Sequence, residues 1–163
     1  MAKRNTIKLV IVWILIGSLS GVILAISLKI PQLLWQNQAY NLLFEVDYIP
    51  ILNSLHPLWL IRNIFHFVTC ILSLYFLFHI LKFFKIETQL WAYIIVIGIG
   101  SAALFFLTLL SNQTPEISDY NAWVLWALGH VLFSISGWYF IKSWIVPLYN
   151  EENKQQQIDY LHF

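Results

Sequence analysis

The stretch PLWLIRNIFHFVTCILSLYFLFHIL, residues 57–81, decides the fold. It carries no acid, and its only full charge is Arg62 near the start. Coiled as a helix it is ~37 Å long, more than the ~30 Å hydrocarbon core of a bilayer. Three further stretches share this character: Leu9 to Leu28, Leu90 to Leu110 and Ala122 to Ile141. None of the four contains Asp or Glu. The expected fold is therefore an all-α integral membrane protein, a four-helix transmembrane bundle, with residues 1–149 as one membrane domain. A polar tail follows at residues 150–163.

Composition supports this. Of the 163 residues, 60% are hydrophobic and 10% charged, against about 25% charged in soluble domains. A soluble chain of this size has no interior large enough for so much apolar surface. Eight Trp and eight Tyr suit a protein with two membrane interfaces, where amphipathic rings sit at headgroup level. A net charge of +1 points away from nucleic acid. Cys70 is the only cysteine, so the chain forms no internal disulfide. The expected partners are the lipid bilayer and another membrane protein.

Orientation follows from Lys and Arg, which favour the cytoplasmic side. Lys3, Arg4, Lys8, Lys82, Lys85, Lys142 and Lys154 fall on one side of the four spans, and only Lys29 and Arg62 on the other. Both termini are thus expected inside, in the bacterial inner membrane. The first span exceeds the ~7–15 apolar residues of a signal peptide, although Ala25-Ile26-Ser27 resembles a cleavage site. The short link Lys82–Gln89 predicts a tight antiparallel hairpin of spans 2 and 3. The long outer segment Lys29–His56 is expected to hold a helix opened by Pro31, with Leu34, Trp35, Leu42, Leu43 and Phe44 in the interface.

Polar side chains inside a membrane are costly and raise a functional question by default. In span 2, Arg62, His66, Cys70 and Ser73 recur at helical spacing and form one stripe, with Thr69 beside it. Span 4 carries Trp126, His130, Ser134 and Gly137 in the same way. Spans 2 and 4 run in one direction, and His66 and His130 lie at matching distances from their starts. The pair is suited to ligate a b-type haem, share a metal, or line a quinone or proton site with Arg62. The competing explanation is that each histidine hydrogen-bonds across helices, as polar groups in bundles do. Arg62 either snorkels to the outer interface or pairs with Glu45 or Asp47. His79 is expected near the inner headgroups, and His56 and His162 in solvent. Gly17-Ser18-Leu19-Ser20-Gly21 is a GxxxG that lets a neighbouring backbone approach. Gly98, Gly100, Ala102 and Ala103 promise the same in span 3. Asn112-Gln113-Thr114 has the form of a glycosylation sequon. No cofactor is expected on balance, and no catalytic constellation stands out.

The layout resembles the YdgK-like family of bacterial inner-membrane proteins, a domain-of-unknown-function group. The likeness rests on Trp13 in span 1, the long outer segment and the entry His56-Pro57-Leu58-Trp59. It also rests on Phe83-Phe84-Lys85 and on Trp138-Tyr139-Phe140-Ile141-Lys142-Ser143. After that serine the family's basic run is replaced by Trp144, Ile145 and Val146. The resemblance implies a four-span fold and no assigned activity. Two function classes follow from the residues. One is a non-enzymatic accessory or sensor subunit acting through helix contacts. The other is a small haem- or quinone-binding redox protein using His66 and His130. A small oligomeric transporter or channel is a third, disfavoured by the absence of acids in the spans.

Overall fold

The computed structural model describes residues 2–44, 59–110 and 115–150, and every regular element among them is helical. Glu45, Asp47, His56, Pro57, the sequon at 112–114 and the tail beyond Asn150 lie outside the described residues.

Helix α1 runs over Ala2–Trp35 and passes through Pro31 without ending. Pro31 was expected to open a new helix. It instead sits one turn before the end of α1, where the missing N–H removes a single bond, a loss membrane helices tolerate. The helix stops at Gln36, whose φ of 55° is left-handed. A 3-10 helix, Ala39–Phe44, follows at once and packs on α1. Helix α2, Trp59–Phe83, ends the same way, with Lys85 at φ 59°. Helix α3, Leu90–Phe105, is only 16 residues long. It tightens into 3-10 geometry over Phe106–Leu110, which brings the pair to ~34 Å. Helix α4, Tyr120–Phe140, starts on Asp119, whose carboxylate accepts from the Ala122 N–H at 2.9 Å. It widens into a π turn at Ile141–Ile145 and continues to Asn150.

Three helices are long and apolar enough to cross a membrane: Ile7–Trp35, Trp59–Phe83 and Tyr120–Asn150. Large apolar side chains face outward along all of them, among them Ile14, Leu72, Phe76 and Leu128. In water such faces would be unsupportable; in lipid they are ordinary.

The helices pack in the order α2, α1, α4, α3. At the α1–α2 seam, a Cβ added to Gly17 would lie 2.5 Å from the Ile71 Cα. The GxxxG therefore closes a seam inside the chain, where close backbone approach replaces the hydrophobic drive that lipid does not supply. Ile16, Leu24 and Leu28 of α1 form the core with Leu74 and Phe78 of α2 and Phe133 of α4. The chain link between α2 and α3 is short, yet the two helices do not pack closely on each other. The expected tight hairpin is absent, and so is the expected role of the span 3 glycines. Added Cβ atoms at Gly98 and Gly100 would meet nothing within 4 Å. Helix α3 is held instead by α4, through Trp126, whose Nε1–H donates to the Ser101 carbonyl at 2.8 Å.

Candidate functional site

The parting of α2 and α3 leaves a groove of about 310 Å³, within the range of small-molecule sites. Its walls are α2 and α3, represented by Phe65, Thr69, Ser73, Val96 and Gly100. Leu24 of α1 and His130 and Phe133 of α4 form its floor. Leu42 and Leu43 of the 3-10 helix border it as well, so this element contributes to the site. Several lining residues, including Thr69, Ser73 and Leu104, are exposed, so the groove is open to the surroundings between α2 and α3.

Both histidines reach this groove. Helical spacing turns His66 inward on α2 and His130 inward on α4; they are 5% and 9% exposed. His66 directs Nε2 to the Gly21 carbonyl at 3.4 Å, so that nitrogen carries the proton, because a carbonyl only accepts. Its ring lies between Phe44 and Phe67, with centroids 5.5 and 5.2 Å away. The Cys70 sulfur stands 3.9 Å from Nδ1 and 3.8 Å from Nε2 of the same ring. His130 directs Nδ1 to the Trp126 carbonyl at 2.8 Å and packs at a tilt against the Trp126 ring, with centroids 4.3 Å apart. By the same logic Nδ1 holds the proton and Nε2 keeps its lone pair. That Nε2 makes no hydrogen bond among the described residues, and it remains accessible.

The remaining stripe residues divide. Thr69 and Ser73 line the groove and donate their hydroxyls back to the Phe65 and Thr69 carbonyls. Cys70 is buried on the same side. Ser134 is fully buried, donates to the His130 carbonyl at 2.7 Å and does not line the groove. It steadies the turn that carries His130. Arg62 is half-buried, lies outside the lining and donates from Nη1 to the Phe44 carbonyl at 3.4 Å. It thus touches the end of the 3-10 helix beside the groove. The expected partners Glu45 and Asp47 lie outside the described residues.

Some contributors escaped the sequence reading. Thr108 lines the groove and is 6% exposed, with its hydroxyl unpartnered and itself inaccessible. Trp126, already in the span 4 stripe, ties α4 to α3 and so fixes one wall, a role its sequence position did not reveal. His79, expected near the inner headgroups, meets the Tyr149 hydroxyl at 3.2 Å and packs at a tilt against Tyr75 and Trp13. Lys82 sits 3.5 Å above the Tyr149 ring. This cluster docks the last turns of the α4 continuation on α2. Among the described residues no three His, Cys, Asp or Glu side chains converge as a metal site. No protein family, curated protein or solved structure matches the chain.

Proposed function

We propose that this chain is a four-span bacterial inner-membrane protein, with both termini cytoplasmic, that binds a small lipid-soluble ligand in the groove between α2 and α3. On this reading it is a non-enzymatic sensor or accessory subunit, and ligand occupancy is what it reports or delivers. One observation carries the reading. Two helices adjacent in the chain stand apart, and polar side chains from α2 and α4 meet in the opening. In lipid, polar groups are expensive and concentrate where they have a use. A groove that opens sideways admits a molecule dissolved in the bilayer without a water-filled path.

The fourth span is α3 with its 3-10 extension, whose combined ~34 Å exceeds the ~30 Å hydrocarbon core. The inside placement of the termini rests on the Lys and Arg asymmetry. Reporter fusions after Lys85 and after Asn150 test it: both should behave as cytoplasmic, and a periplasmic signal from either would reverse the topology.

Occupancy is tested by native mass spectrometry of the protein released from lipid discs. Wild-type protein should retain a small molecule at close to one per chain. Gly100→Leu, which fills the groove from α3, should lose it. Equal retention by both proteins would place the ligand elsewhere.

A further inference from the structure

The hydrogen-bond directions in the groove say which chemistry it recognises. Among the described residues the strong donors there are all directed at backbone carbonyls. His66 gives its Nε2 proton to Gly21, and His130 its Nδ1 proton to Trp126. Thr69 and Ser73 give theirs to carbonyls one turn back, and Trp126 gives its Nε1 proton to Ser101. The Thr108 hydroxyl is shut off from the open space. What faces the groove is therefore acceptor: the lone pair of His130 Nε2, with the oxygens of Thr69 and Ser73 on the opposite wall. Among the described residues the one remaining donor is the weak thiol of Cys70 beside His66. No Lys, Arg, Asp or Glu among the described residues lines the groove.

Two exclusions follow. An anionic head, such as a carboxylate or phosphate, meets lone pairs and no cation. A cationic head meets no counter-ion, and burying an unpaired charge is prohibitive. A neutral head that only accepts, such as an ester, an ether or an oxidised quinone, leaves the His130 nitrogen unsatisfied and gains no strong donor. The complement is an uncharged head that brings its own O–H.

We infer that the groove selects a neutral, lipid-soluble hydroxyl compound, a hydroquinone or a long-chain alcohol, which donates its hydroxyl to His130 Nε2. This deepens the ligand-binding reading proposed above and rests on it. Both sources share the same chemistry, an O–H on an apolar body. The largely apolar walls (Leu24, Phe65, Leu77, Val96, Leu104 and Phe133) take the body, while His130 on the floor takes the head.

The experiment uses the full chain in lipid discs and two matched pairs of probes. One pair is a decyl-substituted hydroquinone and its dimethyl ether; the other is farnesol and its methyl ether. Each hydroxyl probe should bind about tenfold tighter than its ether, the difference of one buried hydrogen bond. His130→Phe, which keeps the ring and removes the acceptor, should bring that ratio close to one. Whichever hydroxyl probe binds tighter identifies the source. If wild-type protein binds ether and alcohol equally, and Gly100→Leu abolishes both, the groove is a ligand site but hydroxyl selection is wrong. If Gly100→Leu leaves every probe's binding unchanged, or no probe binds, the ligand-binding reading falls and this inference with it. Should His130→Phe fail to fold, the wild-type comparison of each pair still decides.

Discussion

Gly17 and Gly100 belong to small-residue clusters that look alike on paper, and they do opposite things. Gly17 sits where α1 and α2 touch, with the Ile71 backbone where its side chain would be. Gly100 sits beside open space, on a helix that has drawn away from its chain neighbour. One cluster closes a seam and the other borders a cavity. A glycine in a membrane helix permits close approach, but only the partner helix determines whether that approach occurs. Here α3 is claimed by α4 through Trp126 and Ser101, and α2 is claimed by α1. The α2–α3 gap is what remains.

The contrast breaks most sharply at the seam. Gly17→Leu forces a side chain into the Ile71 backbone, which must shift. Overpacking typically costs 1–3 kcal/mol and occasionally more, so thermal unfolding in detergent should show a fall of several degrees or loss of the monodisperse species. An unchanged midpoint would mean that α1 and α2 do not meet there. Next comes the tie that keeps α3 on α4. Trp126→Phe preserves an aromatic ring but removes the bond to the Ser101 carbonyl, at a cost of about 0.5–1.5 kcal/mol. The same melt should register it, and hydrogen exchange should rise in α3 more than in α2. Uniform exchange would deny Trp126 its role as the anchor of that wall. The smallest effect has the opposite sign. Gly100→Ala adds a methyl group in open space and restricts the unfolded chain, so stability should rise by about 0.5–1 kcal/mol. A loss instead would mean that α2 and α3 close on one another in the membrane.

The long apolar stretches were readable because hydrophobic length is a direct signature of lipid. So was the inward turn of His66 and His130, which follows from the helical period. Pro31 misled because its effect depends on position: four residues from a helix end it breaks almost nothing. The groove was illegible for a deeper reason. Hydropathy does not distinguish a face against lipid from a face against another helix, so pairing order is invisible in composition. The commitment of the histidine protons to Gly21 and Trp126 was equally hidden, since it depends on carbonyls that only the packed backbone places. Cofactor chemistry has its own check. On the proposed function, detergent-purified protein from haem-replete cells should show no Soret band. A sharp band lost in both His66→Ala and His130→Ala would make the groove a haem site instead.

The gap itself is open to a direct test by disulfide trapping in native membranes, on a Cys70→Ala background. The closed seam is spanned by Gly21→Cys with the native Cys70 restored, since a Cβ added to Gly21 lies 3.4 Å from the Cys70 Cβ, close to disulfide geometry. The pair Ser73→Cys with Gly100→Cys spans the groove. Mild oxidation should cross-link the first pair rapidly and leave the second as free thiols. Equally rapid cross-linking of Ser73→Cys with Gly100→Cys would show α2 and α3 in contact and leave no groove for a ligand.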